Sequence, residues 1–174
     1  YVVNKFGIYV YQINDIVQSL TPKLNTLFGY DKAYKKTVEY YKESNHESKT
    51  NEYTGLFEGK NIIAIHAESI QTLTMNLNFN GEEVTPNLNK IAKSGMFFNN
   101  FYAQVGVGNS SDSEFTLNTS LMPSNSGTVF INYYDREYIT IPKLLKEKGY
   151  YTFSMHGNTG DFWNRNNMHK NMGY

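Results

Sequence analysis

An α/β fold is predicted for this chain: a mainly parallel sheet flanked by helices, incomplete here, with a helical linker ahead of it. Three observations carry that reading. The run Ile62-Ile63-Ala64-Ile65 is short, continuous and apolar, as a strand buried on both faces requires. Similar runs recur at residues 96–102 and 150–155. Helix signals separate them, and strands alternating with helices imply a parallel sheet.

The elements follow in order. Phe6, Val10, Ile13, Val17 and Leu20 recur at spacings of three and four, predicting an amphipathic helix over residues 1–20. A second helix is expected over 31–44, rich in Tyr and Lys, with a polar connector over 43–54. The first strand is expected at 61–66. Thr85-Pro86 opens a helix that Ser94-Gly95 closes, with Pro at the first turn and Gly past the end. The second strand, 96–102, leads into a Gly/Ser loop and a helix through about Leu121. Ile141-Pro142 to Gly149 repeats the Pro-start and Gly-stop pattern. The third strand is 150–155, and residues 161–172 are expected to be helical. These signals divide the chain into a helical stretch, 1–58, and a region of alternating strands and helices, 59–174.

Composition narrows the function. The 174 residues carry 16 Lys+Arg and 16 Asp+Glu, so no net charge points to nucleic acid. Only Arg136 and Arg165 are Arg among those 16 basic residues, and a guanidinium fork suits phosphate. With no Cys, a thiolate nucleophile or zinc–thiolate site is excluded. No apolar run is long enough to span a bilayer, and no signal peptide is visible. The chain starts on Tyr1, so a piece of a longer protein is expected.

Chemistry concentrates at the ends of the expected strands, where parallel sheets bind ligands. Glu68 follows the first strand, and a carboxylate there suits a hard divalent cation such as Mn²⁺ or Mg²⁺, or simply faces solvent. The second strand leads to Gly106-Val107-Gly108-Asn109-Ser110-Ser111-Asp112-Ser113-Glu114. A hydroxyl beside a glycine-rich helix start can be a nucleophile for phosphoryl transfer. Ser111-x-x-Glu114 also reads as a capping box. After the third strand, His156 can bind phosphate or metal, or cap a turn. Trp163 offers an apolar wall and Arg165 bidentate phosphate contacts, or the pair packs as an ordinary helix. His66, inside an apolar run, reads as a core histidine. No His/Asp spacing identifies a catalytic triad.

Taken together, His66-Ala67-Glu68-Ser69, Thr85-Pro86-x-Leu88, the Gly106 to Phe115 segment, Met155-His156-Gly157 and Phe162-Trp163-Asn164-Arg165 resemble the lipoteichoic acid synthase family. The order and spacing match over about residues 59–174. That resemblance implies a sulfatase-like domain of the alkaline phosphatase superfamily, held on the extracellular face of a Gram-positive membrane by segments absent from this chain. It implies one Mn²⁺ or Mg²⁺ ion on Glu68 and Ser110. Ser110 would be the nucleophile that takes glycerolphosphate from phosphatidylglycerol, and His156, Trp163 and Arg165 would hold it. The acceptor would be a glycerolphosphate polymer or a glycolipid.

Two departures stand out. The family nucleophile is usually Thr, where this chain has Ser110. The family's further metal ligands, an Asp-His pair, are expected beyond Tyr174, so residues 1–174 alone are expected to be inactive. Two alternatives remain, a metal-dependent hydrolase and a non-catalytic polymer-binding module. The Cys/Ser-x-Pro-x-Arg site that sulfatases convert to formylglycine is absent.

Overall fold

The computed structural model describes residues 2–44 and 49–174, the side chains of 2, 22, 23, 25 and 26 excepted. Part of the expected polar connector, residues 45–48, lies outside the described residues. The chain forms two compact units, one ending at Ile63 and the other running Ala64–Tyr174.

The first unit holds two helices, α1 (Val2–Leu27) and α2 (Tyr30–Ser44). α1 extends past the expected end at Leu20, but Gly7 breaks its regularity at φ 80°, ψ 166°. That conformation falls in a region only glycine enters readily. Phe6, Val10, Ile13, Val17 and Leu20 are all exposed. α2 presents stacked Tyr30 and Tyr34 rings 6.0 Å apart on an exposed face. Among the described residues, no helix is long and apolar enough to cross a membrane.

The second unit begins with residues 64–67, outside any helix or strand, then a turn at Glu68 and Ser69. A 3₁₀ turn, Thr72–Thr74, precedes a small hairpin of β1 (Asn78–Phe79) and β2 (Glu82–Glu83). Its strands pair antiparallel, Asn78 with Glu83 and Phe79 with Glu82. Asn80 and Gly81 both have positive φ, 50° and 87°, as a two-residue hairpin turn demands. α3 (Pro86–Ser94) starts on its proline as expected. Thr85 turns its hydroxyl away from the helix end to the Thr74 carbonyl, 2.8 Å away. The buried Asn89 side chain accepts from the Asn76 amide at 2.9 Å and donates to Glu83 at 3.1 Å, holding α3 to the hairpin.

The core gathers α4 (Ser110–Thr119), α5 (Val129–Asn132) and α7 (Arg165–Met172). Phe115, Val129, Phe130, Met168 and Met172 are buried together, with Tyr133, Tyr138, Trp163 and Tyr174 packed around them. α6 (Ile141–Glu147) joins this group through Thr140. The Thr140 hydroxyl is buried, caps α6 by accepting from the Lys143 amide, and donates to the Met172 carbonyl.

The expected parallel sheet does not form among the described residues, where β1–β2 is the only sheet. Residues 61–66 and 150–155 belong to no strand, and a turn at Asn99 and Asn100 breaks 96–102. Ile63, Phe101 and Tyr151 are 86, 85 and 88% exposed. A strand of a parallel sheet takes its backbone partners from neighbours on both edges, and these segments have none among the described residues. The helix expected over 161–172 is also interrupted. Phe162–Asn164 is a 3₁₀ turn in which Trp163 adopts φ 58°, ψ 25°, and Asn164 follows at φ 56°. Two successive left-handed residues, one of them Trp, redirect the chain before α7 begins.

Candidate active site

Ser110 opens α4 directly after a constrained loop. Asn109, at φ 44° and ψ −111°, is strained backbone immediately before it. Asp112, buried in the first turn, accepts from the amides of Gly106 at 2.9 Å and Gly108 at 3.0 Å. Ser111 donates to the Gly108 carbonyl at 2.8 Å. A Cβ on Gly108 would lie 2.2 Å from Asp112 Oδ1, so the close approach of loop and helix requires glycine. The loop is thereby folded back onto the first turn and sets where the Ser110 hydroxyl points.

The capping-box reading of Ser111 and Glu114 is overturned. The residue preceding the helix is Asn109, so Ser111 lies inside the first turn and the spacing is out of register for a cap. Glu114 turns instead to Arg165 and His169.

Ser110 and Glu68 meet, although 42 residues separate them. The Ser110 hydroxyl donates to Glu68 Oε2, and Ser69 donates to Oε1 at 3.2 Å. The bond from Ser110, then that from Ser69, holds the exposed Glu68 carboxyl below its ordinary range, with smaller contributions from His66 and Arg165. Glu68 is therefore an anion at neutral pH and a weak base.

Of the other candidates, His156 and Arg165, but not Trp163, line a cavity of about 410 Å³ together with Asn158, Asn166, His169 and Lys170, among others. Neither Glu68 nor Ser110 lines it. His156 is exposed; its Nδ1 accepts from the Asn158 amide at 3.1 Å, which leaves the proton on Nε2. Its ring stacks on Phe162 at 6.5 Å and 15°. Trp163 is half-buried against the core. Arg165 is 3% exposed and donates from Nε and Nη2 to Glu114 and from Nη1 to the Phe162 carbonyl at 3.0 Å. A second cavity, about 430 Å³ between β2 and α3, holds none of the candidate residues.

Three residues that the sequence reading passed over belong to this region. His66, read as a core histidine, is partly exposed and contacts Ser113 at 3.1 Å. His169 bonds both Glu114 and Ser154, each at 2.9 Å. Asp112 holds the glycine loop. Their side-chain partners from other elements stand 15 to 55 residues away, beyond the reach of local spacing.

For a divalent ion, Glu68 and Ser110 offer two hard oxygen donors of the right chemical type. Among the described residues no group of three or more His, Asp or Glu side chains could complete such a site.

The chain finds its class in comparisons with known proteins. The sulfatase family model matches residues 60–174. The chain belongs to the sulfatase family, which implies an α/β fold of the alkaline phosphatase kind. Among individual relatives, lipoteichoic acid synthase 2 of Bacillus subtilis (strain 168) is 38% identical over 172 residues, covering 98% of this chain and 26% of that protein. Lipoteichoic acid synthase 1 of the same strain is 39% identical over 179 residues, covering 100% and 28%. Lipoteichoic acid synthase of Staphylococcus aureus (strain USA300) is 37% identical over 177 residues, covering 99% and 27%. The chain thus spans about a quarter of the length of the curated relatives it matches. The resemblance read from the motifs holds over nearly the whole chain.

Proposed function

We propose that this chain is part of a glycerolphosphate transferase that builds lipoteichoic acid, with Ser110 as its nucleophile. The observation that carries the reading is the Ser110–Glu68 contact at the start of α4, inside the region matched to the sulfatase family. A hydroxyl at that position faces incoming phosphate with the helix N-terminus behind it.

In the proposed reaction, Ser110 Oγ attacks the phosphorus of phosphatidylglycerol. The bond to diacylglycerol breaks, diacylglycerol departs as the alcohol, and glycerolphosphate remains esterified to Ser110. The terminal hydroxyl of a growing chain or glycolipid anchor then attacks the same phosphorus and frees Ser110. Glu68 orients the hydroxyl through its hydrogen bond but, held as a stable anion, is a poor acceptor for the proton. We assign Glu68 and Ser110 as two ligands of one Mn²⁺ or Mg²⁺ ion, whose chemistry when bound is to make the hydroxyl more acidic. His156, with its proton on Nε2, donates to a non-bridging oxygen, and Arg165 adds positive charge beside it. Trp163 walls the glycerol.

Residues 1–58 are proposed to link this domain to the membrane, and the domain to work on its extracellular face. The test uses the full-length protein with labelled phosphatidylglycerol. Lengthening glycerolphosphate products are expected, and Ser110→Ala should abolish them. Free glycerolphosphate as the sole product would make the enzyme a hydrolase instead. Retained synthesis by Ser110→Ala would remove Ser110 from the mechanism.

A further inference from the structure

Glu114 stands on α4 four residues after Ser110, on the same face one turn further along. Its carboxylate receives three side chains from two separate stretches of chain, Arg165 and His169 on α7 and His66 ahead of Glu68. Arg165 donates from Nε at 3.0 and 3.2 Å and from Nη2; His169 Nε2 lies at 2.9 Å; His66 Nδ1 lies at 3.9 Å. Each of these partners leads to a candidate site residue. His66 precedes Glu68 by two residues and also holds Ser113 on α4 at 3.1 Å. His169 holds Ser154, two residues before His156, at 2.9 Å. Arg165 is itself a candidate for the phosphate.

We propose that Glu114 is the positioning residue of the site, one carboxylate that sets Arg165 and the segments leading to Glu68 and His156 relative to Ser110. It touches no substrate in this role, because a carboxylate facing phosphate would repel it. The Arg165 side chain is suited to being held this way. Glu114 takes the Nε–H and one Nη2–H, the Phe162 carbonyl takes one Nη1–H, and a guanidinium has five donors. Two N–H groups therefore remain on a fork whose plane Glu114 has already set. A lysine could not be held in one plane by the same contact.

This inference rests on Arg165 acting on the phosphate, as proposed above. It is tested in the full-length protein with Glu114→Gln, Arg165→Lys and the double variant, measuring kcat and KM for phosphatidylglycerol beside the thermal transition. Glu114→Gln keeps the shape but turns an amide NH₂ toward donors. A folded Glu114→Gln protein is expected to lose roughly 100-fold in kcat, the scale of a misplaced catalytic group, with KM within about threefold. The double variant should be no slower than Arg165→Lys alone, within about threefold. Wild-type kcat in Glu114→Gln overturns the proposal, as does a double variant whose losses multiply. Loss of the thermal transition in Glu114→Gln also overturns it, by making Glu114 a residue of the fold rather than of the site. Ser110→Ala, run alongside, separates the two readings. Full synthesis there with an impaired Glu114→Gln rejects Ser110 and keeps Glu114, whereas the reverse pattern rejects Glu114 alone.

Discussion

Phe130 and Phe101 are the same residue type in the same unit, and one is 0% exposed while the other is 85% exposed. Phe130 belongs to the cluster made by α4, α5 and α7, and Phe101 to a segment outside any helix or strand, without ladder partners among the described residues. A helix satisfies most of its own backbone, so side-chain packing is enough to place it. An extended segment must find N–H and C=O partners on another strand before its apolar side chains can be stacked and covered. Apolar character therefore reports a demand for burial and leaves the partner unspecified. The candidate nucleophile sits with the helices, on α4, and takes its orientation from them.

The largest effect expected from the packed region is chemical. Ser110→Ala in the full-length protein should lower glycerolphosphate incorporation by roughly 10³-fold or more, the scale seen when a nucleophile is removed. The same enzyme should unfold at a temperature close to that of the unaltered one, since Ser110 adds a surface contact to Glu68 and no core packing. Incorporation assays and thermal melts on the same samples check both halves.

Next comes the core itself. Phe130→Ala should cost about 3–5 kcal/mol, because the ring is wholly buried and its neighbours Met168 and Met172 are held by α7. Denaturant unfolding measures this. A loss under about 1 kcal/mol would mean that the cluster collapses onto the gap and that its packing is loose.

An acid titration probes the polar side of the same region with a smaller effect. Burial pushes the Glu114 carboxyl up, but the bonds from His169 and Arg165 outweigh it and hold the carboxyl at about 2, against an ordinary 4.5. A group whose folded value is depressed stabilises the fold above its unfolded value and loses that contribution as pH falls toward the folded one. The thermal midpoint should therefore drop between pH 4.5 and 2, and Glu114→Gln should flatten that part of the curve. Parallel curves for the two proteins would show that Glu114 contributes nothing to acid stability.

How much of this was legible in the sequence depends on how far apart the cooperating residues lie. α3 and α6 begin on Pro86 and beside Pro142, as their local signals say. The Asn80-Gly81 hairpin carries an equally local signal, an Asn-Gly pair, but its two-residue strands are too short to show an apolar run. Ser111 and Glu114 misled because a capping box is a spacing pattern, and the helix starts two residues too early for it. The left-handed turn at Trp163 and Asn164 was not legible, since nothing local favours that backbone for Trp. The Glu114–Arg165 pair spans 51 residues and the Ser110–Glu68 contact 42, so neither follows from periodicity. The family resemblance proposed roles for Glu68, Ser110 and Arg165, but gave Glu114 none.

The smallest expected effect bears most directly on the contrast between the two phenylalanines. Phe101→Ala should change stability by no more than about 0.5 kcal/mol, as substitutions of exposed side chains usually do. The ring is 85% exposed, and Tyr102 beside it is 72% exposed, so removing it takes little surface out of any contact. Denaturant unfolding of this chain beside its Phe130→Ala variant sets both residues on one scale. A large gap between the two costs is what their burial requires. If Phe101→Ala instead costs 2 kcal/mol or more, the segment is covered in solution and the distinction between the regions fails. The apolar run would then have found its partner, and the parallel-sheet reading of residues 96–102 would regain its footing.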